Sequence, residues 1–180
     1  MTRVAIQGIS GSYSEEAVRK LFGDEATVIE CLDFASTFEA VRGGDADHAV
    51  VPIENKIVGP IGGASDLLRF GKYKVIEKLP LAVRHVLAGA PGSKFDDLVS
   101  VRSHVEALRQ CQRFLTSMPH LTQIVGADTA SSIRRVVREN DLAHGAIGSR
   151  RAAEFYGAEI LRENIADDSD NWTIFYLIGN

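Results

Sequence analysis

The stretch NIADDSDNWTIFYLIGN, residues 164–180, decides how this chain is read. Acids, amides and a serine lead straight into a dense apolar strand, and Thr173 sits at the join. The sequence before it alternates short apolar runs with amphipathic segments, the pattern of α/β units. A last strand behind so polar a connection reads as the chain crossing back to where it began. The earlier crossing is YKVIEKLPLAVRHVLAG, residues 73–89, a long strand pattern interrupted by Pro80. The expected fold class is α/β, two α/β lobes around a central cleft. Lobe one takes about residues 1–78 plus 166–180, and lobe two about 79–165.

Working outward, TRVAIQG, TVIECL and HAVVPIEN read as strands of the first lobe. Ser14, followed by Glu16 and Ala17, gives an incomplete capping signal for a helix after the first strand. Ser36 opens a second helix that stops at Gly43-Gly44, and a third begins near Ile61. In the second half LVSVRSH, TQIVGAD, HGAIGS and AEILREN are strands. EALRQCQRFL is one amphipathic helix, TASSIRRVVREN another, and RRAAEFYG a third with a glycine C-cap. These lengths fit right-handed crossovers.

Composition narrows the function. A net charge of -4 and a pI near 5.7 provide no basic field, so no nucleic-acid partner is expected. No segment reaches transmembrane length and no secretory apolar region follows the N-terminus, so no membrane partner is expected and a cytoplasmic location is the default. Cys31 and Cys111 lie far apart and read as two buried free thiols. His48, His85, His104, His120 and His144 are scattered without metal spacing, so no metal or other cofactor is expected. GxSxG is absent, and there is no clear Ser–His–Asp order.

Polar residues gather at strand ends, where open α/β sheets bind ligands. Gly8-Ile9-Ser10-Gly11-Ser12-Tyr13-Ser14 feeds a helix N-terminus whose N–H groups, with Ser12 and Ser14, suit a carboxylate or phosphate. Glu54, Asn55 and Lys56 follow a buried strand, Ser103 and His104 another, and Asp128, Thr129 and Ala130 a third. Arg150 follows Gly148-Ser149. Each set is equally readable as caps and turns: Asn55 capping a turn, Glu54 pairing with Lys56, His104 closing a helix. Taken together they describe helix N-termini and short hydroxyls facing a small dianion. Thr173 is either a residue whose hydroxyl does chemistry or an ordinary β-branched strand residue.

These same segments resemble the catalytic domain of the prephenate dehydratase family almost end to end. IQGISGSYSEEAV is similar to its G-x-x-G-T/S-F/Y-S opening, and AVVPIENKIVGPIGG to its A-V-V-P-I-E-N-S-x-E-G block. RSHVEALRQCQRFL resembles S-H-P-Q-A-L-x-Q-C, DTASSI the S-T-A-x-A segment, and GAIGSRRAAEFYG the A-A-I-A-S…A-A-x-x-Y-G block. NIADDSDNWTIF resembles N-I-x-D…N-x-T-R-F.

The resemblance implies a fold similar to type II periplasmic binding proteins and a homodimer. It implies conversion of prephenate to phenylpyruvate, with Thr173, Glu54 and Asn55 catalytic. Ser12, Ser14, Lys56, Ser103, His104, Thr129, Ala130, Arg150 and Asn171 are then substrate-binding. Several positions depart from the pattern: Ile174 replaces the motif Arg, Lys56 and Val58 replace Ser and Glu, and Asp128 replaces the first Ser of the S-T-A segment. An Arg-to-Ile change removes five donors, so Lys56, with Arg150 second, is expected to take over anion binding. The family's C-terminal ACT domain has no counterpart here, so phenylalanine is expected neither to activate nor to inhibit. Arogenate dehydration, a non-aromatising prephenate decarboxylation and a non-catalytic small-anion binding protein stay open as alternatives.

Overall fold

The computed structural model describes all residues, Met1–Asn180, in two compact units. Unit one is Met1–Val83 with Asn171–Asn180, and unit two is Arg84–Asp170. Both crossings therefore fall a few residues later than the sequence placed them.

Unit one is built on a sheet of strands β1 (Arg3–Gln7), β2 (Thr27–Cys31), β3 (His48–Asn55), β4 (Gly59–Pro60), β5 (Lys74–Ala82) and β11 (Trp172–Gly179). The order is β2-β1-β3-β11-β5, with β4 paired to β3. β1 runs parallel to β2 and β3, while β11 lies antiparallel between β3 and β5. The expected run of parallel crossovers therefore ends where the terminal strand inserts.

Helix α1 (Tyr13–Phe22) covers one face of the sheet through Ala17 and Val18, which pack with Val4, Ile6, Leu81, Phe175 and Leu177. Helices α2 (Phe34–Gly43) and α3 (Gly62–Phe70) cover the other, where Phe38 and Val41 meet Ala5, Val51 and Ile178. Fully burying each large apolar side chain contributes roughly 1.5–3 kcal/mol.

Three local readings need correcting in unit one. The cap of α1 is Ser12, whose oxygen accepts from the Glu15 N–H, while Ser14 lies inside the helix and is buried. α2 starts earlier than Ser36, because Asp33 and Ser36 close a reciprocal capping box. Pro80 does not interrupt its strand. β5 pairs only with β11, so it is a sheet edge, where a missing N–H is tolerated. The break comes afterwards, at residues 83–85.

Unit two holds β6 (Val86–Gly89), β7 (Ser100–Ser103), β8 (Thr122–Val125), β9 (His144–Gly148) and β10 (Glu159–Arg162), ordered β10-β6-β9-β7-β8. β7 is parallel to β8 and β9, while β6 is antiparallel to β9 and β10. Helices α6 (Thr129–Glu139) and α7 (Arg150–Tyr156) are capped by Asp128 and Ser149. No helix of the chain is long and apolar enough to cross a membrane.

The expected single helix through EALRQCQRFL is two, α4 (Val105–Gln110) and α5 (Gln112–Thr116), broken at Cys111. Nearby groups replace the helical bonds lost there. The Asp167 N–H donates to the Gln110 carbonyl (2.7 Å), and the Asp167 carboxylate accepts from the Arg113 N–H (2.9 Å). Gln112 Nε2 takes the Leu108 carbonyl (3.1 Å). Cys111 itself is fully buried, and that burial, reinforced by the charge of Asp167, pushes its thiol up to about 12. Cys31 is free but only partly buried.

Candidate active site

Thr173 and Asn55 stand directly opposite each other on β11 and β3. Side chains alternate along a strand, so Thr173 shares the α1-covered face with Phe175 and Leu177. Both site residues are 7% exposed, and Asn171 is 2% exposed. Asn55 Nδ2 lies 3.0 Å from Thr173 Oγ1, 2.9 Å from the Trp172 carbonyl and 3.1 Å from Asn171 Oδ1. Asn55 Oδ1 accepts the N–H groups of Ile57 and Val58, each at 3.0 Å.

Those two accepted bonds fix which way the amide points, since a flipped Asn55 would turn N–H groups toward backbone N–H donors. Asn55 is therefore the donor and Thr173 Oγ1 the acceptor. The Thr173 hydroxyl proton has no acceptor within the protein, so it remains available to a ligand. Asn55 thus caps a turn and also bonds across the two strands. Its oxygen closes the β3–β4 hairpin, where Gly59 takes the left-handed conformation (φ 82°) that a three-residue tip requires. Its nitrogen holds Thr173.

Glu54 is not brought into this cluster. It pairs across the strands with Ile174, on the face opposite Thr173, and is exposed. Pro80 flanks Ile174 from the other side, so the motif position occupied by Ile174 looks onto Glu54 and Pro80. Lys56 opens the hairpin tip: its N–H donates to the Trp172 carbonyl (3.0 Å), and the residue is exposed.

The Gly/Ser loop of unit one is less vacant than its sequence implies. The Ser10 N–H and hydroxyl both donate to Glu30 Oε1, at 2.7 and 2.6 Å. The Gly11 N–H goes to Glu15 Oε2 at 2.7 Å, and the Ser12 N–H to the Ile9 carbonyl at 3.1 Å. Glu15 is fully buried and also accepts from Arg19 (2.9 Å). Two internal carboxylates thus occupy amides that an incoming anion would have used.

In unit two, Ser103 is fully buried and donates to the Ile147 carbonyl at 2.6 Å. His104 caps α4 through Nδ1, which accepts the Glu106 N–H at 3.3 Å and leaves Nε2 as the protonated nitrogen of the neutral ring. Thr129 and Ala130 open α6, and Ala130 is fully buried. Arg150 is bound by Glu163 and, at 3.5 Å, by Glu154. The hydrogen bond with Arg150 holds the Glu163 carboxyl below its ordinary range and raises the guanidinium. As a replacement anion-binding cation Arg150 is thus already engaged.

Sequence reasoning missed a Ser–His–Asp chain. Ser100 Oγ lies 2.7 Å from His144 Nδ1, and His144 Nε2 lies 3.3 Å from Asp141. Ser100 is 5% exposed, so this chain reads as a tie between the first residues of β7 and β9. No group of three or more His, Cys, Asp or Glu side chains is arranged to hold a metal ion.

The fold is of the α/β class, and it is shared at 9–11% identity, with TM-scores of 0.51, by the methionine binding protein MetQ and the ligand binding component of an ABC-type import system from Staphylococcus aureus. A family model described as prephenate dehydratase matches residues 4–180, and the chain belongs to that family. It is 40% identical over 177 residues to arogenate dehydratase/prephenate dehydratase 1, chloroplastic, of Arabidopsis thaliana, covering 98% of this chain and 45% of that protein. The chain thus spans less than half the length of such curated relatives. The prephenate dehydratase of Arthrobacter aurescens in complex with L-Phe superposes with a TM-score of 0.91 at 28% identity, over 100% of this chain and 60% of that one. GqqA, described as a novel type of quorum quenching acylase, matches with a TM-score of 0.88 at 32% identity, over 99% and 64%.

Proposed function

We propose that this chain decarboxylates and dehydrates prephenate to phenylpyruvate, CO2 and water. The observation that carries the reading is the 3.0 Å bond from Asn55 to Thr173, which leaves a nearly buried hydroxyl with an uncommitted proton. In prephenate the ring carboxylate leaves as CO2, and its electron pair moves through the diene. The opposite C–O bond breaks, and Thr173 gives its proton to the departing hydroxyl, which leaves as water. Solvent then returns a proton to Thr173. The Asn55 N–H steadies the negative charge developing on Thr173 Oγ1, which offsets the weak intrinsic acidity of an alcohol. A positioned donor of this kind contributes roughly 10²–10⁴-fold.

A second reading, dehydration of arogenate to phenylalanine, is supported by the names of the plant relatives. The ring chemistry is identical, and the two substrates differ in a keto group against an ammonium. The cation of Lys56 at the hairpin tip favours the keto acid, because it attracts a dianion and repels an ammonium. The deciding assay gives the purified chain each substrate in turn and follows phenylpyruvate and phenylalanine. Higher kcat/KM on prephenate is the expected result, and formation of phenylalanine alone would replace this reading with the second.

Lys56→Met keeps the stem and removes the charge. With Arg150 engaged elsewhere, we expect KM for prephenate to rise about tenfold with kcat little changed, the signature of lost uniform binding. Unaltered kinetics would remove Lys56 from the site.

A further inference from the structure

Unit two contains a cavity of about 340 Å³ whose lining includes none of the residues assigned above to the reaction. Small-molecule sites span roughly 300–1,000 Å³, so a compact ligand fits. Its walls are the first turn of α5, with Arg113 and Phe114, and the segment from Arg162 to Asp167. The distribution of charge there is uneven. Asp167 accepts the Arg113 N–H at the helix break through Oδ1, at 2.9 Å, and Glu163 is bound by Arg150. The two guanidinium groups have no such partner. No carboxylate pairs with the Arg113 side chain. Arg162 lies over the Phe95 ring, its guanidinium carbon 3.7 Å from the centroid, and donates to the Leu161 carbonyl at 2.7 Å.

The apolar part of the cavity is formed by Phe114, Ile165 and Ala166. Phe114 lines it and packs on Phe95, with ring centroids 6.2 Å apart, while Ile165 is buried beneath. A guanidinium stacked on a ring keeps its donor edge free for a planar carboxylate. We propose that this cavity is a second ligand site, for a small carboxylate with an apolar, ring-sized body. Arg113 and Arg162 hold the carboxylate and Phe114 meets the ring. Lodging such an anion satisfies both cations while the cavity's own carboxylates stay engaged.

The test titrates 3-phenylpropionate into the ¹⁵N-labelled chain and compares it with the neutral 3-phenylpropanamide. Saturable shifts at residues 113–114 and 162–167 are expected, with the amide binding at least about tenfold more weakly. Replacing both exposed arginines, Arg113→Gln with Arg162→Gln, should weaken the carboxylate by a similar factor and leave the amide unmoved. No shifts at these residues up to about 10 mM ligand overturns the proposal. So do shifts centred on Asn55 and Thr173, which place the ligand in the other site, and so does equal binding of acid and amide. The comparison of acid with amide on the parent chain decides the matter even where the variant folds poorly.

Discussion

Thr173→Val is expected to abolish most turnover while leaving the fold in place. The substitution is nearly isosteric and removes only the hydroxyl. Asn55 Nδ2 has two protons and three acceptors within 3.1 Å, so losing Thr173 Oγ1 still leaves the Trp172 carbonyl and Asn171 Oδ1 to take them. No buried donor is orphaned, and the stability cost stays near 1 kcal/mol. Turnover, in contrast, loses its proton donor: kcat on prephenate should fall roughly 10²–10⁴-fold, with KM changed little. Parent-like turnover in this variant would show that Thr173 is an ordinary strand residue.

Asn55→Ala should damage both stability and catalysis. It strips the Ile57 and Val58 N–H groups of their acceptor and leaves Asn171 Oδ1, in a residue 2% exposed, without that donor. Leaving buried polar groups unsatisfied costs about 1–3 kcal/mol each, reduced at the hairpin tip by water. We expect a loss on the order of 3 kcal/mol by urea denaturation, with kcat depressed because Thr173 is no longer oriented. A variant as stable as the parent would mean that the hairpin does not depend on this side chain. Stability lost with full kcat retained would separate Asn55 from the chemistry.

Much of this arrangement was legible in the sequence because local patterns were strong. HAVVPIEN, HGAIGS and NWTIFYLIG are strands, and Gly157 ends α7 as its composition implies. What stayed hidden depended on distant partners. The helix break at Cys111 is made by Asp167, fifty-odd residues away, and no local preference of EALRQCQRFL reports it. Pro80 looked like an interruption because only the strand order shows that it lies on an edge. Glu30 and Glu15 filling the Gly/Ser loop could not be inferred from a motif whose glycines and serines look open. The pairing of Thr173 with Asn55 likewise required the register, which also turned neighbouring Glu54 to the other face.

The insertion of β11 between β3 and β5 also sets an order for the birth of the protein. During synthesis, Arg84–Asp170 is a continuous segment and can mature as soon as it clears the ribosome, whereas the opening eighty-three residues must wait. Until residues 172–179 arrive, β3 and β5 each lack the neighbour that joins them. The same late segment brings Thr173, so the proton donor proposed above arrives only as the first-made sheet is sealed.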